Sequence, residues 1–235
     1  MGTSGRLPVK DVHNLNAAAV LLAYVVASVS APYWIARRAG VDLRVTGSRK
    51  LGGSNLWRTV GPIAGVVGGM LDAGKGFVAV LAASAAGLGT ETALACGVAA
   101  VAGQMWPVFH RFDGGRANAT GWGFALAADP AAAVAMGIPV VAAAAMRLAT
   151  RPRSSRIVPV AALASFAVWP GVIWEQQGLT ATVVAGIVVF ALVLVRRVTA
   201  DLRDDLATGA PAGRVLWNRA MFDRSELQER GLIPL

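Results

Sequence analysis

The sequence predicts an all-α integral membrane protein: a bundle of about seven transmembrane helices, some short or broken, with the N-terminus outside and the C-terminus cytoplasmic. Three observations predict it. Of 235 residues, 55% are hydrophobic and only 15% are charged, against about 25% charged in an average soluble domain. The apolar residues run in stretches longer than a soluble core helix needs. The basic residues collect between those stretches, so the net charge of +9 is a property of short loops. In a soluble protein that charge would suggest nucleic acid; confined to loops it is a topology signal, and no nucleic-acid partner is expected.

The elements follow in order. Residues 1–14 are polar and mildly basic, without the short apolar stretch and cleavage site of a signal peptide. Residues 15–35 are long enough to span as one retained helix, with Arg37 and Arg38 after it. Residues 61–88 form the next stretch and contain Asp72 and Lys75, and residues 93–109 the third. The fourth, 118–146, is interrupted by Asp129-Pro130. Proline lacks a backbone donor and disfavours a helical residue before it, so this stretch divides into a short helix and a longer one. Residues 157–174 and 179–195 complete the set.

Loop charge tests the count. Arg37, Arg38, Arg44, Arg49, Lys50 and Arg58 lie in one loop, and Arg111 and Arg116 in a second. Arg147, Arg151, Arg153 and Arg156 lie in a third, and Arg196 and Arg197 start the tail. With seven helices all four groups share one side, which basic residues mark as cytoplasmic. Residues 1–197 are expected as the membrane domain and 198–235 as a cytoplasmic tail: a short helix, a linker with Gly209, Pro211 and Gly213, and a small amphipathic piece. Trp217 and Phe222 of that piece rest on the membrane surface or pack on the bundle.

Metal chemistry is poorly supplied. The lone cysteine, Cys96, lies in an apolar run and reads as a small buried hydrophobe. Two histidines, His13 and His110, make no multi-histidine site. His110 reads as a surface residue at a helix end, since no carboxylate stands at a spacing that would orient it. No metal or cofactor is expected.

Three cytoplasmic segments hold the candidate chemistry. The first contains Gly47, Ser48, Arg49, Lys50, Gly52, Gly53, Ser54, Asn55 and Arg58. Glycines admit close backbone approach, successive amides can form an anion nest, and arginine suits phosphate. It reads equally as a flexible basic loop serving topology and anionic headgroups. The second is Asp72 with Lys75, three apart on one helix face. Charges inside a membrane pair structurally, line a cavity or serve function. The third runs from Gly103 through Gln104, Pro107 and His110 to Gly114, Gly115, Arg116, Asn118 and Thr120. A helix starts near Asn118, capped by Asn118 or Thr120, and such a start beside an arginine attracts anions. An ordinary turn between spans is the other reading.

Taken in order, the three segments resemble the bacterial acyl-phosphate:glycerol-3-phosphate acyltransferase family (PlsY), over about residues 20–200. Leu22-Ala23-Tyr24 and Gly40-Val41-Asp42-Leu43-Arg44 match first. Gly47, Ser48, Gly52, Asn55, Arg58 and Gly61 fit the first motif, with Ser54 for a threonine. Asp72, Lys75 and Gly76 fit the second; Gly103, Pro107, Val108, Phe109, Phe112, Gly114, Gly115, Ala119 and Thr120 fit the third. The resemblance implies transfer of an acyl group from acyl phosphate to glycerol 3-phosphate, giving lysophosphatidate, in the inner (plasma) membrane of a bacterial cell. It implies Ser48, Asn55 and Lys75 as catalytic residues. Gly47, Gly52, Ser54, Arg58, Asp72, Gly114, Gly115, Arg116 and Thr120 would bind substrate, with membrane lipids around the site. The departures are Arg49-Lys50 for the family's Gly-Asn, Gln104 for a histidine, Arg116 for a lysine, and a late His-Arg-x-Asn-Ile with no histidine or asparagine between Arg196 and Asp201. An alternative is a membrane scaffold that keeps lipid or phosphate binding without turnover, or acylation of another acceptor.

Overall fold

The computed structural model describes residues 9–150 and 157–226. Arg151, Arg153 and Arg156 lie outside them. Among the described residues the regular structure is helical, and six helices are long and apolar enough to cross a membrane. The chain is an integral membrane protein.

The first apolar stretch is not one helix. It divides into α1 (Val9–Ala27) and α2 (Ala31–Arg38). Ser30 caps α2, its Oγ accepting from the Tyr33 amide at 3.2 Å, and Pro32 follows in the first turn. Proline cannot donate to the turn before it, so the chain restarts here instead of continuing.

The first basic loop is more ordered than expected. It contains α3 (Gly53–Thr59), which packs closely on α4 (Pro62–Ala85): a methyl added at Gly53 would lie 2.9 Å from the Gly65 carbonyl oxygen. α5 (Thr90–Met105) returns, and a 3-10 turn at Val108–His110 leads into the second loop.

The division at Asp129-Pro130 is present. α6 (Asn118–Ala128) ends there, and the Asp129 side chain accepts from the Ala132 amide at 3.0 Å to start α7 (Pro130–Thr150). At 11 residues α6 is about 16 Å long, half the ~30 Å of bilayer hydrocarbon. Its N-terminus therefore lies within the bundle. The second loop folds inward to meet it: the Gly114 and Gly115 amides bond the Met105 and Gln104 carbonyls at 3.2 and 3.1 Å.

α6 reaches α4 through small residues. Added methyls at Gly76 and Gly123 would lie 2.8 Å from the Phe124 amide nitrogen and 2.7 Å from the Ala73 carbonyl carbon. Close backbone approach of this kind is how helices associate where lipid removes the hydrophobic drive. Phe124 fills the space beyond, edge-on to Trp169 at 5.1 Å. Around them the core gathers Val80, Val101, Met105, Met136, Phe166 and Val189, with Cys96 buried among them.

α8 (Ile157–Gln177) and α9 (Ala181–Thr199) close the bundle. The tail forms α10 (Leu202–Leu206) and α11 (Ala212–Phe222). α11 packs on the bundle through buried Val215 and Arg219, while Trp217 faces outward.

Hydrogen bonds fix which loops share an end. Lys50 and Arg116 both bond Asp223, and Arg197 bonds the Pro159 and Ala220 carbonyls. So the first loop, the second loop, the start of α8 and the tail lie together. Asp129 pairs instead with Gln177, 3.2 Å away, at the end of α8.

Candidate active site

The first segment is organised by one side chain. Asn55, on buried α3 surface, accepts from the Ser48 amide at 3.0 Å through Oδ1. Its Nδ2 donates to the Thr46 and Lys50 carbonyls at 3.0 and 3.1 Å, with Leu43 O at 3.4 Å. An amide has two acceptor lone pairs and two donors, so Asn55 is spent on holding residues 43–50 in place. Gly47 adopts φ +61°, and a side chain there would also strike Asn55. The amides of Arg49 and Gly52 bond the Thr46 and Lys50 carbonyls. With Ser48, three amides of the segment are turned inward and do not form an anion nest. The Ser48 hydroxyl makes no hydrogen bond among the described residues.

At the start of the loop, burial is slight and pairing dominates. Arg44 hydrogen-bonds Asp42 through its side chain and amide, which holds the Asp42 carboxyl at about 2.

The second segment is the buried centre. Asp72 and Lys75 form an ion pair at 2.8 Å. Gln104 closes it into a triad: its Oε1 accepts from Lys75 at 2.6 Å and its Nε2 donates to Asp72 Oδ2 at 3.0 Å. Gln104 Nε2 also reaches Leu51 O at 3.3 Å, and Lys75 reaches Ala27 O at 3.4 Å. The Ala27 carbonyl is available because α1 stops there. Lys75 thus donates to two acceptors and is ion-paired with Asp72, whose Oδ1 takes no hydrogen bond, and the triad joins α1, α4, α5 and the first loop. A buried charge is costly unless paired and hydrogen-bonded. Sequence reading noted Gln104 as a departure; the structure makes it the connecting residue.

The third segment carries the cations. Arg116 is buried at the loop end, its Nε donating to Asp223 at 2.6 Å while Nη1 has no partner. Lys50 reaches the same Asp223 oxygen at 3.3 Å. Burial lowers the Lys50 ammonium to about 8 despite the pull of Asp223. Burial pushes the Asp223 carboxyl up, but Arg116, Lys50 and Arg197 overcome it and hold the group well below the usual carboxylate range. Gly114 and Gly115 are clamped from behind by Arg196, which donates to Asp113 at 2.5 Å, Gly114 O at 2.9 Å and Gly115 O at 3.3 Å.

Neither Asn118 nor Thr120 caps α6. The cap position is Ala117, at φ +51°, with no side-chain bond. That turn aims the chain from the diglycine loop into the helix and leaves the first-turn N–H groups uncapped. Asn118 Oδ1 and Thr120 Oγ1 are buried without a partner. The uncapped N–H groups and the Thr120 hydroxyl, close in sequence to buried Arg116, favour an anionic ligand, whereas Asn118 Oδ1 is an acceptor and calls for a donor.

Ser54 and Arg58 lie on the exposed side of α3. Partial desolvation lowers the Arg58 guanidinium, and the positive charges of Arg147 and Arg224 lower it further. His110 stacks edge-on to Tyr33 at 4.7 Å. Sequence reasoning missed Asp223, and it missed the burial of Arg196; nothing in local spacing marks a carboxylate 173 positions from its partner Lys50. Among the described residues no group of histidine, cysteine and carboxylate side chains could hold a metal ion.

Comparison with known proteins bears on this arrangement. A sequence profile described as glycerol-3-phosphate acyltransferase matches residues 17–204. Relatives include glycerol-3-phosphate acyltransferase 1 of Deinococcus radiodurans, 40% identical over 48% of this chain and 57% of that protein. The glycerol-3-phosphate acyltransferase of Desulforudis audaxviator is 44% identical over 52% of this chain and 63% of that protein. These alignments therefore span about six-tenths of those relatives. Glycerol-3-phosphate acyltransferase 1 of Moorella thermoacetica is 34% identical over 75% of this chain and 87% of that protein. The fold is similar to a crystal structure of PlsY, an integral membrane glycerol 3-phosphate acyltransferase, in its glycerol 3-phosphate form. The TM-score is 0.68 at 27% identity, covering 86% of this chain and 99% of the other.

Proposed function

The chain belongs to the glycerol-3-phosphate acyltransferase family, and we propose that it acylates glycerol 3-phosphate from acyl phosphate in the plasma membrane of a bacterial cell. The observation that carries this reading is the convergence of three separate segments on one buried cationic site. Lys50 and Arg116 meet on Asp223, and the Asp72–Lys75–Gln104 triad adjoins them through the Leu51 carbonyl and the Gly115 amide, near the uncapped start of a half-length helix.

The chemistry asks little covalent work of the protein. The 1-hydroxyl of glycerol 3-phosphate attacks the carbonyl carbon of acyl phosphate. The carbonyl–oxygen bond to phosphate breaks, phosphate leaves with the bonding pair, and the hydroxyl proton passes to it or to solvent. Acyl phosphate is already activated, so positioning and charge neutralisation supply the rate. Arg116 and Lys50 neutralise phosphate. Ser48, Thr120 and the α6 N-terminus orient the reacting oxygens. Asn55 and Lys75 act through the scaffold: one shapes the 43–50 loop, the other ties it to α1, α4 and α5. The acyl chain lies between helices, reached from lipid. Positive charge on the loops supports a site on the cytoplasmic side with the N-terminus outside.

The scaffold alternative draws on Gln104, which stands for a histidine and whose side chain is engaged by Asp72, Lys75 and the Leu51 carbonyl. Turnover of folded variants separates the two. With acyl phosphate and labelled glycerol 3-phosphate, Arg116→Ala is expected to lower kcat/KM about 100- to 1,000-fold. Lys75→Ala is expected to lose activity together with thermal stability. Unchanged turnover in folded Arg116→Ala, or no product from folded wild-type protein, contradicts the enzyme reading.

A further inference from the structure

The carboxylate between the two cations comes from a part of the chain that the family match, ending at residue 204, does not include. α11 is fastened firmly enough to place it. Arg219, buried, pairs with Asp205 and donates to Asp201 O at 2.8 Å. Arg197 reaches Ala220 O at 3.3 Å. Asp223 then ends the helix at φ +48°, its amide bonded to Arg219 O at 3.1 Å. This left-handed turn, which aspartate tolerates better than most residues, aims the carboxylate back into the site. One oxygen takes both Arg116 Nε at 2.6 Å and Lys50 Nζ at 3.3 Å.

Two further features bear on what that seat is for. Arg116 uses only Nε, and its buried Nη1 has no partner, so half of a fork suited to phosphate is unused. Lys50 is itself a departure from the family motif, so the added cation and the anion that covers it both lie outside the shared pattern.

We propose that Asp223 is an intramolecular competitor for phosphate: the C-terminal segment seats its carboxylate on Lys50 and Arg116, and a phosphate-bearing substrate must displace it to bind. This rests on the reading of the site as a phosphate site and specifies how that site selects its ligand. A carboxylate brings one charge and a single contacting oxygen. A phosphate monoester brings nearly two charges and three acceptor oxygens, enough to use Lys50, both faces of the Arg116 fork and the α6 N-terminus. Monoanions that cannot outcompete the tethered carboxylate are held out. Because only the fraction of molecules with the tail unseated binds, the apparent affinity falls by that fraction.

The test uses the full chain in detergent and titrates inorganic phosphate by calorimetry. Asp223→Asn removes the competing charge and is expected to tighten phosphate about tenfold, as it would if the tail is seated nine-tenths of the time. Asp223→Glu keeps the charge and is expected to stay near wild type. Equal or weaker phosphate binding by folded Asp223→Asn overturns the proposal, because a supporting residue would weaken the site when lost. Should Asp223→Asn not fold, wild-type protein decides: phosphate is expected to speed tryptic cleavage after Arg203 and Arg214 by releasing the tail, and protection or no change overturns the proposal. Repeating the titration with glycerol 3-phosphate and with a short-chain acyl phosphate separates the two sources of phosphate, and tightening of neither overturns the inference. These readouts need no turnover. An inactive wild type that binds phosphate more tightly as Asp223→Asn defeats the acyltransferase reading and leaves this one standing, and the reverse pattern does the opposite.

Discussion

Lys50 is a half-buried cation whose ammonium is lowered to about 8 by desolvation and Arg116 against the pull of Asp223. Below that pH it carries charge and attracts phosphate; above it the charge is lost. The second ionisation of a phosphate monoester lies near 6, so the ligand does not change over pH 7 to 9. Affinity for glycerol 3-phosphate is therefore expected to fall as pH rises through about 8, and Lys50→Arg to flatten the profile, because arginine stays protonated. Titration calorimetry at three pH values checks it; a flat wild-type profile contradicts it. Asn55 makes a different case. Its partners are the Ser48 amide and the Thr46 and Lys50 carbonyls. Asn55→Ala strands buried groups, at about 1–3 kcal/mol, and is expected to lower the Tm in detergent along with activity. Lost activity at full stability would make Asn55 a direct participant instead. The motif residues were legible in the sequence by type and spacing. Their division of labour was not, because it depends on which partner consumes each donor.

Helix breaks carry the site at the next scale. The break after Ala27 exposes the carbonyl that Lys75 reaches, and the half-length of α6 brings an uncapped N-terminus to the level of Arg116. The Asp129-Pro130 division was readable because proline forbids the continuing hydrogen bond. The α1–α2 break rests on the same chemistry at Ser30 and Pro32, but the surrounding run is apolar enough to conceal it. α3 went unread because seven mostly polar residues carry no period. The α4–α6 crossing yields a test. Gly123→Val introduces a branched side chain where even a methyl meets the Ala73 backbone. Overpacking there is expected to cost about 1–3 kcal/mol and displace α6 from the site. Gly74→Ala, with nothing within 4 Å, is expected to be neutral in a thermal melt. Equal Tm values for the two would remove α4–α6 contact as the device that positions the half-helix.

Across the described residues, one end gathers the first two basic loops, the start of α8 and the tail, and the other carries the Asp129–Gln177 contact. Loop charge alone anticipated that grouping, since it reports position without needing contacts. It could not anticipate that Arg196 and Arg197 are buried clamps on the second loop and the tail. The proposed orientation is testable in right-side-out vesicles. An impermeant thiol reagent is expected to label Leu179→Cys and spare Ala212→Cys; the reverse pattern inverts the topology. The tail, which a sequence motif does not cover, enters the site through contacts that only the folded chain creates. The central claim, that these segments form an acyl-transfer site, is tested most directly by supplying purified wild-type protein with a long-chain acyl phosphate and labelled glycerol 3-phosphate. Labelled lysophosphatidate formed with equimolar inorganic phosphate, and lost in Arg116→Ala, is the predicted result. Folded protein that binds glycerol 3-phosphate and releases no product would contradict it.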